Sequence, residues 1–118
     1  MFFLFLVLAR SDPNVTLVAK ACTGGEYENT KYGVSVGYVL EDLRRSTPEQ
    51  GFEYDCEHEY LGVWSRGHGA CFKGLSKEDC GRCMVKAKGL VLQVCANKIH
   101  GDVRLQDCRI MYDKMSRA

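Results

Sequence analysis

An α+β fold, with an antiparallel sheet and helices on one face, follows from three features of the sequence. Two segments place apolar residues at helical spacing. Three others read as strands by period-two alternation or β-rich composition. Seven cysteines are spread over only 118 residues. Helix stripes and sheet faces must bury themselves against one another, and the modest core of so short a chain gains from cross-links. No internal repeat, low-complexity tract or linker interrupts it, and the two prolines, Pro13 and Pro48, stand where boundaries are expected. We read one domain, 21–118.

The first residues, MFFLFLVLA from Met1 to Ala9, are too short to span a bilayer, which takes about 20 apolar residues. They resemble the hydrophobic region of a signal peptide without its basic leader, so 1–10 is read as a secretory signal. Cleavage near Arg10-Ser11 leaves a spacer before Cys22. Cleavage near Ala21, or a buried strand or core helix, are the alternatives. Asn14-Val15-Thr16 is an N-glycosylation sequon, with Asn14 as acceptor in a secreted chain.

The first helix is expected from Asn29 to Ser46. Tyr32, Val36, Val39, Leu40 and Leu43 form its apolar stripe, while Glu41, Asp42, Arg44 and Arg45 occupy the other side. Asn29 is a natural N-cap, and Thr47-Pro48 ends the helix because the residue before proline is pushed out of helical geometry. From Phe52 to Tyr60, Phe52, Tyr54, Cys56, His58 and Tyr60 alternate with acids, the mark of a half-buried strand. Val63 to Phe72 forms a second strand, with Gly67 and Gly69 marking a bulge or loop. Ser76 to Cys95 is the second helix, opened by a Ser76/Asp79 capping box. Its stripe is Cys80, Cys83, Met84, Ala87, Leu90, Val91 and Val94. Val103 to Tyr112 reads as one strand whose inward parity switches before Cys108, so a bulge or sharp twist is expected within it.

A net charge of +1 gives no electrostatic footprint for nucleic acid. No enzyme signature such as G-x-S-x-G or H-E-x-x-H occurs. Glu57 and Glu59 are spaced for a strand's polar face rather than as a glycosidase pair. Cys56 and His58 share a strand face, yet His58 reads as a structural histidine. The expectation is a protein with no catalytic residues, no cofactor, no metal and no membrane span.

The segment CFKGLSKEDCGRC, Cys71 to Cys83, holds three of the cysteines. Structural zinc usually takes two ligand pairs, but only Cys80 and Cys83 form a Cys-x-x-Cys. A redox pair gains from a helix N-terminus, but the surrounding strand-turn-helix pattern is missing. In a secreted chain, disulfides fit better. On the second helix Cys80 and Cys83 each reach a different partner: Cys71 can fold back onto Cys80, Cys83 can reach the C-terminal strand, and Cys95 can reach Cys22.

The spacing Cys71-x8-Cys80-x2-Cys83-x11-Cys95-x12-Cys108, with ACT at Cys22 and VRLQDCRIMYD near the end, resembles the plant cysteine-rich stress-antifungal, or ginkbilobin-like, family. The likeness covers about Ala21 to Asp113. It implies two helices packed on a five-stranded antiparallel sheet, with disulfides Cys22–Cys95, Cys71–Cys80 and Cys83–Cys108. Cys56 is then left over as a buried free thiol or an intermolecular disulfide. The resemblance also implies a secreted, apoplastic defence protein that is antifungal and binds mannose or a fungal cell-wall glycan. The same domain in receptor ectodomains implies, instead, an apoplastic module with a protein partner. The family's mannose-binding Asn, Arg and Glu fall at Thr23, Asp102 and Asp113. None is identical, and Asp102 replaces a guanidinium fork by an acceptor-only carboxylate. Arg104, two residues on, shares the expected sheet face and offers partial compensation.

Overall fold

The computed structural model describes residues 12–115, so the signal reading of 1–10 lies outside the described residues. Seven elements follow one another: β1 (Leu17–Glu26), α1 (Thr30–Ser46), β2 (Glu53–Tyr60), β3 (Val63–Cys71), α2 (Lys77–Val94), β4 (Lys98–Leu105) and β5 (Cys108–Met115). The strands make one five-stranded antiparallel sheet in the order β1-β4-β5-β3-β2. Both helices lie on one face of it, and no described element covers the other.

The helix ends form where their capping chemistry predicts. The Asn29 side chain accepts from Lys31 N–H, and the Ser76 side chain accepts from Asp79 N–H. At the far end of α1 the Thr47 N–H bonds back to the Leu43 carbonyl, and Thr47 keeps helical geometry at φ −55° and ψ −46°, so the residue before Pro48 is not pushed out of the helical region as expected. The stripe Tyr32, Val36, Val39, Leu40 and Leu43 is buried, as are Cys80, Cys83, Met84, Ala87 and Val91 of α2. They close on Val103, Leu105, Ile110 and Tyr112 of the sheet. Asp42 departs from its expected place on the solvated side of α1. It leans against β2, with only 19% of its side chain exposed.

Three features differ from expectation. β1 was not read from residue pattern; it is exposed along nearly its whole length, so no apolar alternation announces it. The segment Val103 to Tyr112 is not one bulged strand. It is the meeting of β4 and β5, and Gln106 and Asp107 turn the chain between them. Their N–H groups are taken up by the Thr16 and Asn14 carbonyls, which satisfies the exposed turn. Inward parity switches there because the two-residue turn pairs odd-numbered positions of β4 with even-numbered ones of β5, as in Val103↔Ile110. Finally, Gly67 and Gly69 mark neither bulge nor loop: β2 and β3 stay in unbroken register from Glu53↔Ala70 to Tyr60↔Val63. A Cβ on Gly67 would strike Val39, Leu43 and the Met111 carbonyl, and one on Gly69 would strike Thr47 and Met84. The two glycines let α1 settle directly on the sheet.

Three disulfides fasten this arrangement. Cys71–Cys80 ties β3 to the start of α2, Cys83–Cys108 ties α2 to β5, and Cys22–Cys95 ties edge strand β1 to the end of α2. Cys56 on β2 keeps a free, half-buried thiol.

Candidate functional site on the open sheet face

Alternation sends every second residue of each strand away from the helices. On β4 and β5 the outward residues are His100, Asp102, Arg104, Arg109, Met111 and Asp113. The expected site residues Thr23, Asp102 and Asp113 all reach this face, from three adjacent strands. Thr23 of β1 stands opposite His100 of β4. His100 Nδ1 lies 3.6 Å from Asp113 Oδ1, and Arg66 Nη2 lies 3.6 Å from Asp113 Oδ2. Thr23, His100, Asp113 and Arg66 thus form one row across four strands. Asp102 begins the neighbouring row, two residues along β4, facing Ala21 and Met111.

Asp102 is not a bare acceptor. Arg109 grips it with two hydrogen bonds, Nε to Oδ1 at 3.1 Å and Nη2 to Oδ2 at 2.7 Å. Charge-assisted paired bonds of this kind are strong and fix orientation. The carboxylate in turn raises the Arg109 pKa further and holds it charged. A guanidinium has five N–H donors, so Arg109 keeps several for a ligand. A guanidinium therefore stands diagonally across the β4–β5 pair from Asp102. Arg104, the donor expected from sequence, lies on the same face and lines a shallow depression of about 190 Å³ with Ala19, Lys20, Ala21 and Asp102. The partner of Asp102 is Arg109, because antiparallel register places it within reach, directly beside Arg104.

The depression is smaller than the few hundred Å³ typical of pockets that engulf a ligand. What the face offers is donors and acceptors spread over three adjacent rows: Thr23, His100, Asp113 and Arg66 in one, Asp102 in the next, and Arg104 opposite Arg109 in the third. Sugar hydroxyls need both kinds. Toward the β2 edge His68 Nδ1 pairs with Asp55 at 2.8 Å, which extends the charged ladder.

The remaining candidates lie elsewhere. Asn14 is exposed, its Oδ1 accepting from Thr16 N–H at 3.0 Å. Glu57 and Glu59 face outward on edge strand β2, and Glu59 accepts from Gly62 N–H. Cys56 and His58 point to the helix side of β2. There His58 Nε2 meets Asp42 Oδ2 at 2.8 Å. Burial, then the Asp42 charge and a hydrogen bond to Asp42, push the Cys56 thiol up to about 12. That shift disfavours the thiolate, the form in which a cysteine acts as nucleophile. Asp42 was missed as a participant because its helix position reads as solvated.

Fold and cross-links together define a disulfide-rich α+β module of the extracellular type. The salt stress response/antifungal family pattern matches residues 21–115, and the chain belongs to that family. Its fold is that of the DUF26 ectodomain. The tandem DUF26 ectodomain of the Arabidopsis thaliana cysteine-rich receptor-like protein PDLP5 superposes with a TM-score of 0.75 at 20% identity, over 86% of this chain and 51% of that one. The corresponding ectodomain of PDLP8, also from Arabidopsis thaliana, gives 0.73 at 22% identity, over 88% and 46%. The chain thus spans about half the length of each tandem ectodomain. No curated protein matches it significantly. Among the described residues no helix is long and apolar enough to cross a membrane.

Proposed function

We propose that the protein is a secreted plant defence protein of ginkbilobin type, acting in the apoplast on fungal cells through a mannose-containing cell-wall glycan. The open sheet face is the contact surface, with Thr23, Asp102 and Asp113 on it and Arg109 in place of the arginine that the family carries at position 102. The Arg109–Asp102 pair carries this reading. It keeps a guanidinium on the face while neutralising the carboxylate that would otherwise leave ring and glycosidic oxygens without a donor. Asn14, exposed ahead of β1, is the expected glycan acceptor during secretion. The chain performs no catalysis and uses no cofactor in this role.

Fungal growth inhibition by the purified, disulfide-intact protein tests the reading. Inhibition that falls when Arg109 becomes alanine supports it. Absence of inhibition by folded protein contradicts it. One observation favours a second reading, an apoplastic protein-interaction module that no longer binds mannose. The fold matches half of a tandem ectodomain, and the ion pairs already partner many of the polar groups of the open face. A folded protein that ignores glycans but binds a receptor ectodomain supports that alternative.

A further inference from the structure

On the opposite side of β2, at its junction with α1, three side chains of different chemistry converge. Asp42, Cys56 and His58 bring a carboxylate oxygen, a thiol sulfur and an imidazole nitrogen within 4.8 Å of one another. We propose that they form a binding site for a borderline divalent cation, zinc above all, with a fourth coordination position open to solvent.

The donor set argues for that ion. Thiolate and imidazole select zinc over the hard cations calcium and magnesium, and a carboxylate completes the common zinc ligand types. All six other cysteines are consumed in disulfides, so Cys56 is the one thiol left. The scaffold is rigid, since α1 and β2 are regular elements, and Cys56 and His58 sit two apart on one strand face. Asp42 is held in place by further groups, as ligating carboxylates are. Ser46 donates to Oδ1 at 2.7 Å from the next helical turn, and Tyr54 donates to Oδ2 at 3.2 Å. None of the three ligands is fully buried, and 35% of the His58 side chain is exposed beside the exposed ring of Tyr38. The imidazole side of the site is thus reachable from solvent.

Without the ion, His58 Nε2 and Asp42 Oδ2 are hydrogen-bonded at 2.8 Å. A zinc bound to both at about 2.0–2.1 Å in tetrahedral geometry separates those atoms to about 3.3 Å, and brings the Cys56 sulfur, which lies within 4.8 Å of them and donates to the Val39 carbonyl at 3.7 Å, to about 3.5 Å from each. Binding breaks the Cys56 S–H bond and forms the S–Zn bond, and the proton leaves to solvent. Thiolate and carboxylate then balance the two positive charges of the metal. Nothing is oxidised or reduced.

Titration of the disulfide-intact full chain with zinc against a chromophoric chelator, and with cobalt followed by absorption, tests the site. One equivalent of metal should bind, with a sulfur-to-cobalt charge-transfer band in the near ultraviolet. Cys56→Ser, His58→Gln and Asp42→Asn should each weaken binding at least tenfold, and Cys56→Ser should abolish the band. His68→Gln and His100→Gln, on the other sheet face, should change neither. Circular dichroism and a thermal melt establish that each variant is folded. If a folded Cys56→Ser variant binds as tightly as wild type, the site is not the one proposed. Failure to bind stoichiometric zinc in the micromolar range, or cobalt bound without the sulfur band, equally overturns it.

Discussion

Asp42 shows how far one side chain can depart from its apparent place. Burial alone would raise its pKa, but hydrogen bonds from His58, Ser46 and Tyr54 outweigh that and bring it below its usual value. Burial, with that carboxylate close by, holds the Cys56 thiol protonated. In metal-free protein, alkylation of Cys56 at pH 8 should therefore run about a hundredfold slower than that of an unperturbed thiol, since the lost thiolate fraction outweighs its higher nucleophilicity. Mass-spectrometric labelling with iodoacetamide checks this, and labelling at the rate of a free thiol would refute it. Neither Asp42 nor Arg109 was legible as a site residue. Asp42 follows from how α1 rolls onto β2, and Arg109 from the register that sets β5 beside β4. Spacing along the chain encodes neither. The resemblance placed Thr23, Asp102 and Asp113 by fixed offsets from Cys22 and Cys108, and the structure puts the three on one sheet face.

At the scale of elements, α1, α2 and β2 could be read because each is covered on one face only, so burial writes its period into the sequence. β1 has no helix above it. Strand pairing with β4 and the Cys22–Cys95 link hold it, and those forces leave no alternation to read. The glycines of β3 were misread because a close approach leaves the same mark as a bulge. The structure separates the two causes. Gly67→Ala should cost about 1–3 kcal/mol or more in denaturant unfolding, since Val39, Leu43 and the Met111 carbonyl would all have to move. Gly89, in the interior of α2, has open space where a Cβ would sit. Gly89→Ala should instead stabilise the protein by about 0.5–1 kcal/mol through helix propensity and reduced freedom of the unfolded chain. A destabilised Gly89→Ala variant would contradict that packing.

Across the whole molecule, the disulfides divide the labour unevenly. Cys71–Cys80 and Cys83–Cys108 span 9 and 25 residues, whereas Cys22–Cys95 spans 73 and joins an otherwise exposed edge strand to the core. Replacing Cys22 and Cys95 together by serine should cost about 2–4 kcal/mol. Hydrogen exchange should show β1 losing protection first, because few buried contacts remain to hold it. Uniform loss across all five strands would show that β1 is integral to the core instead. The same edge strand carries Thr23, so this staple also sets the geometry of the open face.

That face supports the functional reading, and binding to immobilised mannan is the most direct measurement of it. Disulfide-intact wild type, Arg109→Ala and Asp102→Arg would be compared, each first shown to be folded. Wild type should bind, Arg109→Ala should weaken binding at least tenfold, and Asp102→Arg should retain it. Folded wild type that leaves mannan untouched, or Arg109→Ala that binds as well as wild type, would contradict a sugar-binding role for this surface.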